Sequence, residues 1–334
     1  MTDKVFRALW ITEESDGSFR KQVLKRHVAD LPKNGVLIKV SFSSLNYKDA
    51  LSASGNKGVT RHYPHTPGID AAGIVTESNS PEFKAGDQVL VTGFDLGMNT
   101  MGGFGEYINV PAEWVVRLPA GLTLKESMIL GTAGFTAALA LYHLLRCGQK
   151  PSDGPLLITG ATGGVGSLST AITAKLGFEV TASTGKASEN EYLINLGAKT
   201  VIPRSDVDDQ SGRMLLRPQW AGAIDTVGGN TLATVLKAVK PHGNVACCGN
   251  VASPILNTSV FPFILNGVNL LGVNSATTPM HLRRILWEKL AGEWKPNFQR
   301  INTEFVELDN IFNKIEKILK GLITGRIVLK HVTF

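Results

Sequence analysis

Cysteine is scarce in this chain: its 334 residues include three, Cys147, Cys247 and Cys248. A disulfide framework is thereby excluded, and a reducing compartment, the cytoplasm, is expected. A secretory signal is not expected either, because Met1–Arg7 carries charges where a signal peptide needs an apolar core. No apolar run reaches the roughly 20 residues that span a bilayer. The longest candidate, from Met128 to Leu145, is interrupted by Thr132, Thr136, Tyr142 and His143 and is expected to be a buried helix linking two domains, so no membrane partner is expected. Runs of five or more basic residues are absent, and the aromatics are not interleaved with Arg and Lys as a single-strand groove requires. The net charge of +6 is therefore read as steering for a small anionic ligand, with no nucleic acid expected.

What is present is an ordinary globular balance, 43 % apolar and 19 % charged, in a chain long enough for about two domains. Internal repeats are not evident. Val36–Phe42 alternates, and Gly86–Val91 leads from a turn into an apolar run, so the first third should be a compact, mostly β domain ending near Leu118-Pro119-Ala120-Gly121. From about Pro155 apolar runs alternate with helical segments: Leu156–Ile158, Val165–Gly177, Val180–Ala182, Glu189–Leu196, then strands at Ala223–Val227, Val245–Cys248 and Leu270–Val273. That is the texture of a parallel sheet with crossover helices. The tail holds a helix with Ile311, Ile315, Ile318 and Leu322, then a strand at Gly325–Leu329 able to return to the first domain. The expected division is 1–125, 126–272 and 273–334.

The strongest local motif is Thr159-Gly160-Ala161-Thr162-Gly163-Gly164-Val165-Gly166, between a short strand and a helix. This is the setting of a dinucleotide turn, in which glycines permit the tight turn, the approach of backbone to pyrophosphate, and close helix–strand packing. By spacing, Ala161 takes the first glycine's place. A ligand-free glycine turn is the plain alternative. About twenty residues on, the acid that would bind a free ribose 2′-hydroxyl is missing; Ser183-Thr184-Gly185-Lys186 stands there, with Arg204 one strand further. Hydroxyls, a backbone amide and cations suit a 2′-phosphate, so NADPH is preferred to NADH, the alternative being a polar turn with a solvated lysine. A metal site is not expected, since His62 and His65 have no third ligand beside them and the cysteines are poorly placed.

The order of motifs resembles the zinc-independent medium-chain dehydrogenase/reductase superfamily over essentially the whole chain. Gly68-Ile69-Asp70-Ala71-Ala72-Gly73 stands where zinc-dependent relatives show a Gly-His-Glu ligand pair, and Phe83–Val89, Gly102–Tyr107 and Ala223–Gly228 look like the next landmarks. Ser43–Leu51, Ile129–Ala137, Trp220–Gly228 and Pro262–Leu265 resemble the acrylyl-CoA reductase branch, the YhdH/YhfP-type quinone oxidoreductases. The resemblance implies a GroES-like, mostly β catalytic domain with an inserted Rossmann domain, NADPH and a homodimer. It also implies roles by position. Tyr47 matches the tyrosine beside the cofactor; Thr162, Gly163, Gly164 and Val165 match the pyrophosphate turn; Thr184, Gly185, Lys186 and Arg204 match the 2′-phosphate pocket. Asn250, Ile264 and Ser275 match positions lining the nicotinamide end, although an apolar residue is common at Asn250 and many relatives have arginine at Lys186.

Asn46-Tyr47-Lys48-Asp49 supports two readings. Asn46 and Tyr47 are candidate catalytic residues, as hydrogen-bond donors to a developing enolate; alternatively Asn46 and Asp49 only cap a helix, with Lys48 and Asp49 pairing to hold the loop. The expected activity is NADPH-dependent reduction of an activated carbon–carbon double bond, foremost acrylyl-CoA to propionyl-CoA. Its rivals are an NADPH:quinone oxidoreductase and a non-catalytic NADPH- or RNA-binding protein.

Overall fold

A computed structural model describes residues 4–33 and 35–331, so Met1–Asp3 of the charged N-terminus lie outside the described residues. The chain divides into two compact units: residues 1–132, 276–291 and 302–334 form the first, and 133–275 with 292–301 form the second. These limits lie a few residues beyond the breaks at 125 and 272 that composition suggests. The short segment 292–301 also rejoins the second unit, where Lys295 offers its carbonyl to Lys175 Nζ at 2.7 Å.

The first unit begins with an antiparallel hairpin, β1 (Val5–Glu13) and β2 (Phe19–His27). Then follow β3 (Val36–Leu45), α1 (Tyr47–Ala53), β4 (Asp70–Ser78), β5 (Gln88–Thr92), β6 (Tyr107–Val110), β7 (Val116–Arg117) and the start of α2 (Leu124–Arg146), whose residues from 133 onward count with the second unit. Alternation along β3 buries Val36, Ile38 and Val40 against Ala71, Val75, Val89 and Val91. The helix α2 starts earlier than apolar patterning indicates, because Thr123 and Glu126 form a capping box: each backbone N–H donates to the other's side chain, at 2.9 and 3.1 Å. It is also broken, at Gly131 (φ 51°, ψ −155°), inside what reads as one apolar run.

The second unit holds β8 (Leu156–Ile158), α3 (Gly164–Lys175), β9 (Val180–Thr184), α4 (Asn190–Leu196), β10 (Thr200–Pro203), β11 (Trp220–Asp225), α5 (Gly229–Ala238), β12 (Val239–Cys247), α6 (Phe261–Asn266) and β13 (Asn269–Gly272). Its six strands are parallel in the order β10-β9-β8-β11-β12-β13. This is the doubly wound arrangement whose ligands bind beyond the strand C-termini where the order reverses, here between β8 and β11.

The first unit is completed by α7 (Met280–Ala291), β14 (Thr303–Val306), α8 (Ile311–Leu319) and β15 (Arg326–Lys330). Its larger sheet runs β14-β15-β3-β4-β5-β7, with β6 also on β3. Small Ala50 and Ala53 on α1 let Ile311 and Ile315 of α8 pack close, in a core shared with Leu9, Ile11, Leu45, Ile327 and Leu329. Arg283 of α7 is wholly buried: its guanidinium donates to the Thr92 and Ala276 carbonyls and lies 4.6 Å from the Phe94 ring centre. Those bonds fix the point at which the chain re-enters the unit.

Candidate active site

In the first unit, α1 is preceded by Asn46, whose extended backbone (φ −118°, ψ 162°) suits an N-cap. The Asp49 carboxylate accepts the Asn46 N–H at 2.7 Å and the Ile69 N–H at 2.8 Å. The acid is thus engaged by backbone rather than by Lys48, and the capping geometry is present. The Asn46 side chain nevertheless turns into the unit. Its Nδ2 donates to Asp70 Oδ2 (2.8 Å), to Asp49 Oδ2 (3.3 Å) and to the Ser44 carbonyl (3.3 Å), while its Oδ1 accepts from Arg326 Nη1 at 3.4 Å.

Asp70 gathers further donors: Ser44 Oγ at 2.6 Å, the Thr132 N–H at 2.9 Å and Thr132 Oγ1 at 2.6 Å. The break at Gly131 turns the Thr132 N–H toward this carboxylate, and a Cβ there would overlap Asp70 Oδ2 and Ser44 Oγ. Arg326 is tied by Nε to the Ile129 carbonyl at 2.9 Å. Asp49, Asp70 and Arg326 are all buried. Burial, then the Asp70 charge, pushes the Asp49 carboxyl up to about 7 against the N–H groups that favour its charged form. Tyr47 differs: the residue is 41 % exposed, and its hydroxyl makes no hydrogen bond among the described residues.

In the second unit, the loop after β8 carries its left-handed residue at Gly160 (φ 58°), one position before Ala161, so the tight turn is glycine's after all. A Cβ on Gly166 would overlap the Gly160 carbonyl, which gives that glycine the close-packing role. The first intrahelical bond of α3 runs from the Ser167 N–H to Gly163 O at 2.9 Å. Hence the N–H groups of Gly164, Val165 and Gly166 have no carbonyl partner among the described residues, and they form a donor set that fits a pyrophosphate at the positive end of the helix.

Thr162 and Thr184 are buried, their hydroxyls 3.4 Å apart, and Thr184 Oγ1 accepts the Lys186 N–H at 3.0 Å. Register places Pro203 opposite Thr184, which brings Arg204 to the same strand end; its guanidinium lies where a Gly185 side chain would be. Residues 162–165, 184–186 and 204 therefore meet at the C-terminal edge of the sheet. Asn250 is exposed after β12, Ile264 is exposed on α6, and Ser275 Oγ accepts from Thr136 Oγ1 at 2.8 Å. Asp225, only a landmark in the sequence, joins two strand ends: it accepts from Thr159 Oγ1 at 2.6 Å and from the Gly228 N–H at 2.8 Å.

Residues 32–120 match the alcohol dehydrogenase GroES-like domain family and residues 164–291 the zinc-binding dehydrogenase family. YhfP of Bacillus subtilis, which bears a quinone oxidoreductase name, is 44 % identical over 90 % of this chain and 92 % of its own. The acrylyl-CoA reductase AcuI of Ruegeria pomeroyi is 40 % identical over 97 % and 99 %. Among solved structures, the yhdH oxidoreductase of Salmonella enterica in complex with NADP superposes with a TM-score of 0.94 at 40 % identity, covering 98 % of this chain and all of its own. Bacillus subtilis yhfP with NAD bound gives 0.95 at 42 % over the same shares. The chain belongs to the YhdH/YhfP-type acrylyl-CoA reductase branch of the medium-chain dehydrogenase/reductases.

Its first unit is accordingly the GroES-like domain and its second the Rossmann domain. In the GroES-like domain, the Gly-His-Glu place of zinc-dependent relatives is taken by Ile69, which is buried and apolar, and by Asp70, whose carboxylate is filled by protein donors. Among the described residues no three His, Cys, Asp or Glu side chains gather as a metal set. Arg326, Thr132 and Gly131 are the parts of this network that sequence patterns do not disclose; a charged residue opening an otherwise buried apolar strand is the one signal Arg326 gives.

Proposed function

We propose that the protein reduces an activated carbon–carbon double bond with NADPH, foremost the short enoyl thioester acrylyl-CoA. The observation that carries the cofactor is the end of β9, where Thr184, Gly185, Lys186 and Arg204 meet and no acid stands at positions 183–186 to hold a free 2′-hydroxyl. Gly164, Val165 and Gly166 would hold the pyrophosphate by backbone N–H groups. The NADP complex of the Salmonella relative agrees with this choice, and the NAD complex of the Bacillus relative makes it worth measuring.

When bound, the reduced nicotinamide supplies the hydride that the substrate β-carbon takes up, and the α-carbon takes a proton. The protein's part is to orient the thioester and stabilise the negative charge on its oxygen. Both Asn46 amide hydrogens are committed to acceptors within the domain, so a donor this loop can offer a substrate is the exposed Tyr47 hydroxyl. Asn46 then serves the reaction by holding the turn from which Tyr47 projects.

The names of the relatives favour two substrates, and the CoA handle separates them. Remote binding energy from CoA can position the double bond, and the net charge of +6 would draw in an anionic handle in a salt-dependent way. The test is kcat/KM with NADPH for acrylyl-CoA, for a truncated acrylyl thioester and for a simple quinone. The proposal expects the value to fall on truncation and as salt rises; equal values for acrylyl-CoA and quinone would return the protein to the quinone reductase reading.

A homodimer is part of the same proposal. The outer strand β13 ends the Rossmann sheet with Leu270 exposed, and Phe261, Ile264 and Leu265 stand exposed on the preceding helix. An apolar patch along an open sheet edge invites cover by a second copy, and sedimentation would show it. A cytoplasmic location completes the proposal.

A further inference from the structure

Three neighbouring strands of the Rossmann sheet, β8, β11 and β12, end at one buried acid. Asp225 is the last residue of β11 and is wholly buried, as is Thr159, which leads β8 into the pyrophosphate turn. Asp225 Oδ1 accepts the Thr159 hydroxyl at 2.6 Å, and Oδ2 accepts the N–H of Gly228, the N-cap of α5, at 2.8 Å. Its main-chain carbonyl accepts from Cys248 just beyond β12, from the N–H at 2.9 Å and from Sγ at 3.3 Å. One residue thus joins the loops that follow all three strands.

The Thr159 oxygen already accepts the Thr226 N–H at 3.0 Å, which leaves its proton for Asp225. Both carboxyl oxygens therefore receive a donor, a demand that a carboxylate meets and an amide, with one oxygen, does not. The donors are a hydroxyl and a backbone N–H, with no cation among them, and burial pushes the carboxyl up. This is a costly link between strands that the sheet ladder already joins. The loops are also packed backbone to backbone: a Cβ on Gly160 would overlap Thr226 Oγ1, and one on Gly249 the Thr226 carbonyl. The Ala252 N–H donates to the Val227 carbonyl at 2.9 Å, so a shift at Thr159 is passed on to residues 248–252. The turn is tied to β9 by separate bonds, from the Ala161 N–H to the Ser183 carbonyl at 3.0 Å and between the Thr162 and Thr184 hydroxyls.

We propose that Asp225 is a positioning residue for the bound dinucleotide, setting the spacing between the turn at its pyrophosphate and the 248–250 segment at its nicotinamide end. The proposal rests on NADPH lying with its pyrophosphate at Gly164–Gly166 and its nicotinamide beside Asn250. It adds a division of labour: the adenosine half is held at the end of β9 without Asp225, while the order of the nicotinamide ring depends on it. Ring order matters because a misplacement of about 1 Å can cost roughly 100-fold in rate.

The test uses the full chain and needs no acceptor substrate. Time-resolved fluorescence anisotropy of bound NADPH reads the mobility of the dihydronicotinamide ring. Calorimetry reads the affinity for adenosine 2′,5′-bisphosphate, which has the 2′-phosphate but no nicotinamide. Asp225→Asn and Thr159→Val each break the link from one end, and Thr159→Ser keeps the hydroxyl. A fast depolarising component should appear in the first two variants and be absent from the wild type and Thr159→Ser, with affinity for the bisphosphate unchanged throughout. The double variant should be no more mobile than either single one. With acrylyl-CoA, kcat at saturating NADPH should fall about tenfold or more in the same two variants while KM holds. If Asp225→Asn does not fold, Thr159→Val carries the same test. A ring as immobile in the variants as in the wild type would overturn the proposal, as would loss of bisphosphate affinity equal to that of NADPH. A wild-type protein that binds neither NADPH nor the bisphosphate would instead overturn the cofactor reading itself, and the proposal with it.

Discussion

The two domains hold their polar groups by different means. The Rossmann domain prepares its ligand edge mostly with backbone, through a glycine turn, the free N–H groups opening α3 and the ends of neighbouring strands. The GroES-like domain builds its own centre from side chains, with Ser44, Asn46, Asp49, Asp70, Thr132 and Arg326 arriving from separate segments onto two carboxyl groups. The pyrophosphate turn, made of backbone, tolerates side-chain change wherever its glycines remain, while Lys186 and Arg204 add side chains only at the end of β9. A side-chain network is sensitive at every member, because removing one partner strands another in a buried place.

The largest expected effect falls where backbone and side-chain construction meet. Gly131→Ala forces a left-handed residue against Asp70 Oδ2 and Ser44 Oγ and should cost more than about 2 kcal/mol in denaturant unfolding. Gly86→Ala, also left-handed but with open space around it, should cost only about 1 kcal/mol. Equal costs at the two positions would remove the crowding around Asp70 from the account.

Next in size is the cation pair at the end of β9. Lys186→Ala or Arg204→Ala should weaken NADPH by roughly 10- to 150-fold, the range for loss of a charge-assisted contact, and leave NADH almost untouched. Calorimetric titration of both cofactors measures this directly. Equal wild-type affinity for the two would refute the assignment. Lys186 is half-buried and its ammonium is lowered by that burial, so a bound phosphate should raise it again.

A pH effect on stability sharpens the contrast from the other side. A carboxyl raised in the folded state contributes most below its unfolded value, and that contribution is lost as pH rises through the folded one. For Asp49 the loss should run from about pH 4 to its folded value of about 7, at up to about 1.4 kcal/mol per pH unit. Asp49→Asn should flatten that slope in unfolding measured across the same range. A slope unchanged by the substitution would mean that another group titrates there. The smallest effect expected is from a strong chelator, since Asp70 is filled by protein donors where relatives bind zinc; dialysis should leave turnover intact, and zinc-restored activity would contradict this.

The same contrast explains what the sequence discloses. Glycine spacing is a local rule, so the turn at 160–166 is legible from the residues alone, down to a one-residue shift of its left-handed member from Ala161 to Gly160. Lys186 and Arg204 are legible because both follow strands, and adjacent parallel strands bring their ends together. The Asp70 network is not. Its partners lie 26, 24 and 62 residues away, and Arg326 reaches Asn46 across 280, distances over which no pattern rule operates. Asn46 and Asp49 are visible as a cap, which is correct as far as a four-residue window can see. The break at Gly131 is hidden for the same reason, since one glycine inside an apolar stretch reads as ordinary helix.

Isotope labelling follows the transferred hydride from cofactor to product. Acrylyl-CoA is turned over by the wild-type protein with NADPH carrying deuterium at the transferable position of C4, and the product is examined by mass spectrometry and NMR. Hydride transfer to the β-carbon gives propionyl-CoA with one deuterium on the β-carbon and one solvent-derived hydrogen on the α-carbon. Propionyl-CoA without deuterium, or no propionyl-CoA under conditions where a quinone is reduced, would contradict it.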